Sequence, residues 1–358
     1  MRDAPSYLGS GLGNLIAEIE ARLTGASVWP GLGEGRDLPD ARTYVLVLFD
    51  GLGVAQLDHP EAGSLARAMT GTLDAPFPTT TSVSLATLAT ALPPSRHGQV
   101  AHLTWFEDLG VVVNTLKWVT VPGDPVAYDY GALLPGPNLW ERLRTAGVEP
   151  ITVQPGDFTA SPLSRALYRG ARFEPAWDVA DLVDATVTLA AEPARLIFTY
   201  VPHVDVAGHV FGLGSEEFSE AMRLVVGVWE GVASGLAPDV ALIGTSDHGL
   251  LEFAESQKHL VRDPRYDDLR FAGDPRGVQL WGNPSLMQSL AEETGSQLID
   301  PTDLIGPDPT ATALSRLGER LLLPPDDRVI LPKGFDKRLH CYHGGLSPAE
   351  VEIPLLVG

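Results

Sequence analysis

The sequence predicts an α/β fold, a mostly parallel central sheet with helices on both faces and an inserted cap region. Short aliphatic runs recur along the chain, helical patterns separate several of them, and Asp, His or Gly repeatedly follows the end of a run. Buried parallel strands read as continuous Val/Ile/Leu stretches, and the helices between them are the crossovers. The first run is TYVLVLFDGLG at 43–53, followed by helical patterns at 53–70 and 81–92 and by a second run, GVVVNTL, at 110–116. A helix at 137–146 with Asn138 as its N-cap leads into VEPITVQ at 148–154. A helix at 177–191 leads into ARLIFTYV at 194–201, and a longer one at 215–235 into DVALIGTSDHG at 239–249. Residues 259–335, richer in Pro, Gly and Asp, read as the cap, and VEIPLLV at 351–357 closes the sheet. Length alone allows one large domain or two, and the continuous alternation leads to the expectation of a single domain over 1–358 with that cap, 259–335, inserted in it.

Composition narrows what such a fold does. A formal charge of −21 repels nucleic-acid backbones and anionic membranes, so the expected partner is a small molecule. The single cysteine, Cys341, excludes a disulfide framework and leaves His and carboxylate as the metal ligands. The absence of a signal-like or membrane-spanning apolar run leads to the expectation of a cytoplasmic protein.

In open α/β sheets ligands bind beyond the carboxyl ends of the strands. There the chain places Asp50-Gly51, then His203, Asp205 and His209, then Asp247-His248-Gly249, and before the last strand His343-Gly344-Gly345. Taken singly, an Asp-Gly is an ordinary turn and a His before Gly-Gly an ordinary loop residue. Metal-ligand residue types at strand end after strand end are not explained by turns. Asp205 and His209, at i and i+4, share one helix face, whereas the adjacent Asp247 and His248 point apart. Two metal ions therefore suit the pattern better than one. The segment APFPTTTSVS at 75–84 adds three threonines at a helix start, where backbone N–H groups favour an anion.

The ordered set FDG, PTTTS…RHG, DVAGH, SDHG and HGG resembles the alkaline phosphatase superfamily, and within it the type I phosphodiesterase/nucleotide pyrophosphatase branch. In that branch a Pro-Thr-x-Thr segment carries the nucleophile on its second Thr, with His-Gly 16 residues later, a spacing that selects Thr81 through Pro78 and His97-Gly98. The resemblance implies one ion held by Asp205, His209 and His343, and a second held by Asp50, Asp247 and His248 with the Thr81 oxygen. It implies two divalent ions, Zn²⁺ by preference and Mn²⁺ as the alternative, and hydrolysis through a phosphothreonine. Thr79 and Thr80 then shape the turn, with Thr80 or Ser82 as N-cap; the plainer reading of Thr81 is that it only caps the helix.

The expected substrate is a small phosphate ester, and a diester before a monoester, because two divalent ions nearly neutralise three aspartates and an alkoxide. Arg96, Lys117 or a cap arginine could reverse that order. Ser82 replaces the aromatic residue that usually follows the nucleophile, and His102 stands where the family commonly offers a phosphoryl-binding Asn. A catalytic His102 would donate that hydrogen bond and, if protonated, favour monoesters or phosphonates. Phosphonoacetate hydrolases share the threonine segment, and the closing HGGLSPAEVEIPLLV resembles PglZ-type domains, which would make the protein a metal-binding interaction module.

Overall fold

A computed structural model of the chain describes residues 4–159 and 161–358. Its central sheet has seven strands in the order Met69–Asp74, Glu352–Val357, Val240–Thr245, Thr43–Phe49, Arg195–Val201, Glu149–Pro155 and Arg172–Ala176. Thr43–Phe49 pairs in parallel with both neighbours, Thr43 opposite Arg195 on one side and Val240 on the other. Glu352–Val357 alone runs against its neighbours.

Alternation along Thr43–Phe49 explains the layers on either side. Tyr44, Leu46 and Leu48 point into one core with Leu15, Leu88 and Trp140. Val45, Val47 and Phe49 point into the other with Val225, Trp229 and Leu182. A strand whose every residue is buried needs helices on both faces. Leu12–Thr24, Thr81–Thr90 and Leu139–Thr145 cover the first, and Val179–Ala190 and Glu216–Gly235 the second.

Three expectations change. The segment 53–70 is not one helix: it forms two 3₁₀ turns, Val54–Asp58 and Pro60–Ala62, then Gly63–Ala68, before Met69 enters a strand. Pro60 lacks the N–H that a continuous helix would need, and it starts the second turn instead, with the His59 side chain accepting from Glu61 N–H. The run 110–116 lies outside the central sheet; Val111–Asn114 pairs with Leu103–Phe106 and Val119–Thr120 in a second seven-stranded sheet. Only Val113 of that strand is fully buried, so its Val run marks a half-covered sheet. Leu12–Thr24, unexpected as a helix, buries Leu12, Leu15, Ile16 and Ile19 on one face.

The second sheet also takes Arg270–Asp274, Gly277–Trp281, Gln297–Ile299 and Arg320–Leu323 from the 259–335 segment. Residues 103–120 are thus the other half of the layer to which the proposed cap contributes. Among the described residues no helix is long and apolar enough to cross a membrane.

Candidate active site

The carboxyl ends of the three central strands deliver the acidic residues. Asp50 follows Phe49 and Gly51 turns the chain at φ 75°, where a β-carbon would lie 2.9 Å from Asp205 Cα. Only glycine meets both demands, and the turn seats Asp205 N–H on the Asp50 carbonyl at 3.1 Å. Asp205 and His209 lie in the helix His203–Phe211, and Asp247 and His248 follow Val240–Thr245.

The ligand atoms form two groups, each within 4.8 Å: Asp205, His209 and His343 in one, Asp50, Asp247 and His248 in the other. The groups adjoin, with the His248 and His343 rings stacked at 3.7 Å between centroids. Each imidazole spends Nδ1 on a backbone carbonyl: His209 on Cys341 at 2.7 Å, His343 on Thr79 at 2.8 Å and His248 on Gly249 at 3.1 Å. A carbonyl only accepts, so each Nδ1 carries the proton and each neutral ring presents its Nε2 lone pair.

Those lone pairs face carboxylates. His209 Nε2 lies 3.2 Å from Asp205 Oδ1, and His248 Nε2 lies 3.5 Å from Asp50 Oδ1 and 3.4 Å from Asp247 Oδ2. Asp50 Oδ1, Asp205 Oδ1 and Asp247 Oδ2 are all buried without a hydrogen-bond donor. The companion oxygens of two are held: Tyr200 OH donates to Asp50 Oδ2, and Gly51 N–H and His248 N–H each donate to Asp247 Oδ1 at 3.1 Å. Lone pair against lone pair in a buried site calls for cations, and carboxylate plus oriented imidazole is a donor set that fits them.

The electrostatics agree. Burial, then Asp247 and Asp205, push the Asp50 carboxyl well above its ordinary range. Burial opposes ionisation of Asp205 as well, but His209, His343 and His248 outweigh it and hold that carboxyl below the usual range. His209 is burdened by burial and lifted by Asp205, with the net direction upward.

Thr81 is the first residue of Thr81–Thr90 and not its cap; Thr80 holds that position without a side-chain capping bond. Val83 N–H and Ser84 N–H donate to the Thr80 carbonyl at 3.0 Å, which leaves the N–H groups of Thr81 and Ser82 without a partner among the described residues, and Thr81 Oγ1 lies 3.2 Å from His248 Nε2. Thr79 braces the opposite wall: it donates to Gly345 O at 3.1 Å, accepts from Gly344 N–H at 3.0 Å, and offers its carbonyl to His343. His97 is structural, its Nε2 on Thr87 at 3.0 Å, and burial pushes its imidazole down to about 3.

A cavity of about 520 Å³ opens over Thr81, lined by residues from three sources. Asp205, His209 and His343 come from the central rim, His102, Asn114 and Lys117 from the segment 102–117, and Asp274 and Phe335 from or beside the cap. Among the described residues Lys117 is the one Lys or Arg of the lining; neither Arg96 nor an arginine of 259–335 lines it. His102 is pushed down to about 4 by burial, His209 and Lys117, so it enters the cavity as a neutral imidazole. A larger groove of about 670 Å³ at Trp105 and Arg270 contains none of these ligands.

Tyr200, Asn114 and Asp274 carry no motif of their own, and Thr79, read from the PTTTS segment as a turn residue, gives no sign of its bond to His343. Tyr200, one residue before the end of its strand, offers the only advance hint, since strand ends point at the rim. Asp274 accepts from His102 N–H at 3.2 Å, and burial, reinforced by Glu350, lifts it to about 7. An acid that binds its proton more tightly when folded loses stability as pH rises from its ordinary 3.8 towards 7. Asp274→Asn should flatten the pH dependence of stability across that window, by up to about 1.4 kcal/mol per pH unit. Urea unfolding of both metal-free proteins at several pH values checks this, and parallel curves would refute it.

The fold and the site define a phosphoric ester hydrolase of the alkaline phosphatase superfamily. Residues 44–284 match the model of the type I phosphodiesterase/nucleotide pyrophosphatase family, and the chain belongs to that family. No curated protein matches the sequence. Among solved structures the chain is similar to murine ectonucleotide pyrophosphatase/phosphodiesterase 5, at 18% identity over 87% of each chain and a TM-score of 0.64. An inactive variant of that protein in complex with AMP aligns at 17% identity over 87% of each chain with a TM-score of 0.65. Phosphonoacetate hydrolase from Sinorhizobium meliloti 1021, in complex with phosphonoformate, aligns at 18% identity over 90% of this chain and 92% of its own, with a TM-score of 0.63.

Proposed function

We propose that the protein is a divalent-metal-dependent phosphodiester hydrolase that works through a covalent phosphothreonine on Thr81. The observation that carries this is the position of Thr81: at an uncapped helix start, 3.2 Å from a donor group's imidazole, under the cavity. Asp205, His209 and His343 would hold one ion, and Asp50, Asp247 and His248 the other, with the Thr81 oxygen beside them. Divalent ions there, zinc by donor type or manganese, supply charge that stabilises an alkoxide and the developing phosphoryl oxyanion.

The chain's own residues divide the remaining work. Thr81 Oγ forms a bond to phosphorus as the bond to the leaving alcohol breaks, and the hydroxyl proton leaves with that alcohol. Free N–H groups at the start of Thr81–Thr90 donate to a non-bridging oxygen, aided by the helix dipole. His102 donates to another from the cavity wall. Water then attacks phosphorus on the opposite side, restoring Thr81 and releasing a phosphate monoester.

The scarcity of cations favours a diester monoanion, because among the described residues only Lys117 lines the cavity to meet a second negative charge. That same lysine supports a second reading, a phosphomonoester or phosphonoacetate-type substrate whose extra anionic group it would hold. Turnover of a chromogenic diester, its monoester and a phosphonate monoester on zinc-loaded protein separates them. We expect kcat/KM for the diester to exceed that for the monoester at least about tenfold, equivalent to about 1.4 kcal/mol. A monoester preference would move the reading to Lys117.

A further inference from the structure

We infer that Asn114 is a positioning residue: it fixes His102 as the neutral Nδ1–H tautomer, an uncharged phosphoryl donor that selects monoanionic substrates. This rests on the hydrolase reading above and concerns how the cavity wall discriminates.

The assignment begins with an amide. Asn114 Oδ1 accepts from Leu116 N–H and Lys117 N–H, both at 3.1 Å. Two backbone donors on one atom identify it as oxygen, so the other terminal atom is Nδ2 and donates. Its acceptor is His102 Nε2, at 3.1 Å. A ring nitrogen that accepts carries no proton, so the proton of neutral His102 sits on Nδ1.

The rest of His102 is tied down. Its N–H donates to Asp274 Oδ2 at 3.2 Å, and its carbonyl accepts from Thr115 N–H and Thr115 Oγ1, both at 3.0 Å. Nδ1 is the one polar atom of His102 without a protein partner among the described residues, on a side chain that lines the cavity over Thr81. Asn114 also makes the cation expensive, because a proton arriving at Nε2 would meet the amide N–H. His102 thereby supplies a hydrogen bond without supplying charge. A diester oxygen is served by that, and the second charge of a monoester is left to Lys117.

Asn114→Asp tests the device with little change of shape. One carboxylate oxygen can keep the two backbone N–H groups, while the other can only accept, so His102 must carry a proton on Nε2. Long-range ¹H–¹⁵N correlation on histidine-labelled protein reads the tautomer without substrate. We expect an Nδ1–H signature in the wild type and Nε2 protonation in Asn114→Asp. With the neutral flip, diester kcat/KM falls by about 10- to 100-fold; with the imidazolium, the monoester-to-diester ratio rises. His102→Ala should lose diester turnover and His102→Asn, a neutral amide donor, should recover part of it. An Nε2–H wild type overturns the inference, as does an unchanged tautomer or unchanged selectivity in Asn114→Asp. If Asn114→Asp does not fold, the wild-type tautomer and the two His102 variants still decide. An Nδ1–H signature in a protein with no diester turnover would uphold the tautomer and fail the hydrolase reading.

Discussion

Thr81→Ala should abolish turnover, by at least about 10³-fold, while leaving the fold and the bound metals in place. The Thr81 hydroxyl makes one side-chain contact, with His248 Nε2, which accepts equally well from a water. Thr80 remains as N-cap and its carbonyl still accepts from Val83 N–H and Ser84 N–H, so the helix start is kept. The stability change should therefore stay within about 1 kcal/mol. Both donor groups keep three protein ligands each, so elemental analysis should return the same metal content. Thr81→Ser, which restores a hydroxyl, should recover measurable turnover. Undiminished diester hydrolysis in Thr81→Ala would mean that water attacks the ester directly and that no phosphothreonine forms. The same variant separates enzyme from interaction module. A PglZ-like metal-binding module would keep its function in Thr81→Ala, whereas a hydrolase loses turnover with its metals still present.

The sheet is legible in the sequence because its physical signal is strong and local. Every residue of Thr43–Phe49 is buried, and a run that is apolar nearly throughout satisfies that. The rim is legible for a different reason: Asp and His recur at successive strand ends, and the fold gathers their side chains into two groups. What escapes the sequence is whatever depends on distant pairing. Val111–Asn114 has the same residue types as a central strand, and its partners across the second sheet, not its composition, place it at the cavity wall. Asn114 gains its importance only when a turn brings its amide to His102, and Thr79 only when its carbonyl meets His343 across 264 positions of chain. The protonation of His102 is likewise invisible from its neighbours in sequence. It is set by burial and by His209 and Lys117, which lower it far enough to remove the cationic option.

Asp247→Asn should reverse the usual order of mutant and wild-type stability, depending on whether metal is present. Asp247 is fully buried, and its Oδ1 is satisfied by Gly51 N–H and His248 N–H, which an amide oxygen can accept equally. Its Oδ2 has no donor, lies 3.4 Å from His248 Nε2, and adds to the charge that pushes Asp50 upward. In the metal-free protein an amide N–H at that position would donate to the His248 lone pair and remove one of three crowded carboxylates. The metal-free variant should thus be at least as stable as metal-free wild type. With zinc the comparison turns over. A ligand that binds only the folded state stabilises it by RT ln(1 + [L]/Kd), about 2.7 kcal/mol at a hundredfold excess over Kd. The variant loses that gain at the Asp50/Asp247/His248 group, because an amide is a weak, neutral ligand where a carboxylate stood. The group of Asp205, His209 and His343 should still load, so metal content should fall by about half. Turnover should drop by at least about 10²-fold, since the impaired group is the one that touches Thr81. Thermal unfolding of both proteins, chelated and zinc-loaded, beside elemental analysis, tests all of this together. A zinc-dependent rise in Tm equal in the two proteins, with metal content unchanged, would show that the orphaned oxygen of Asp247 holds no ion.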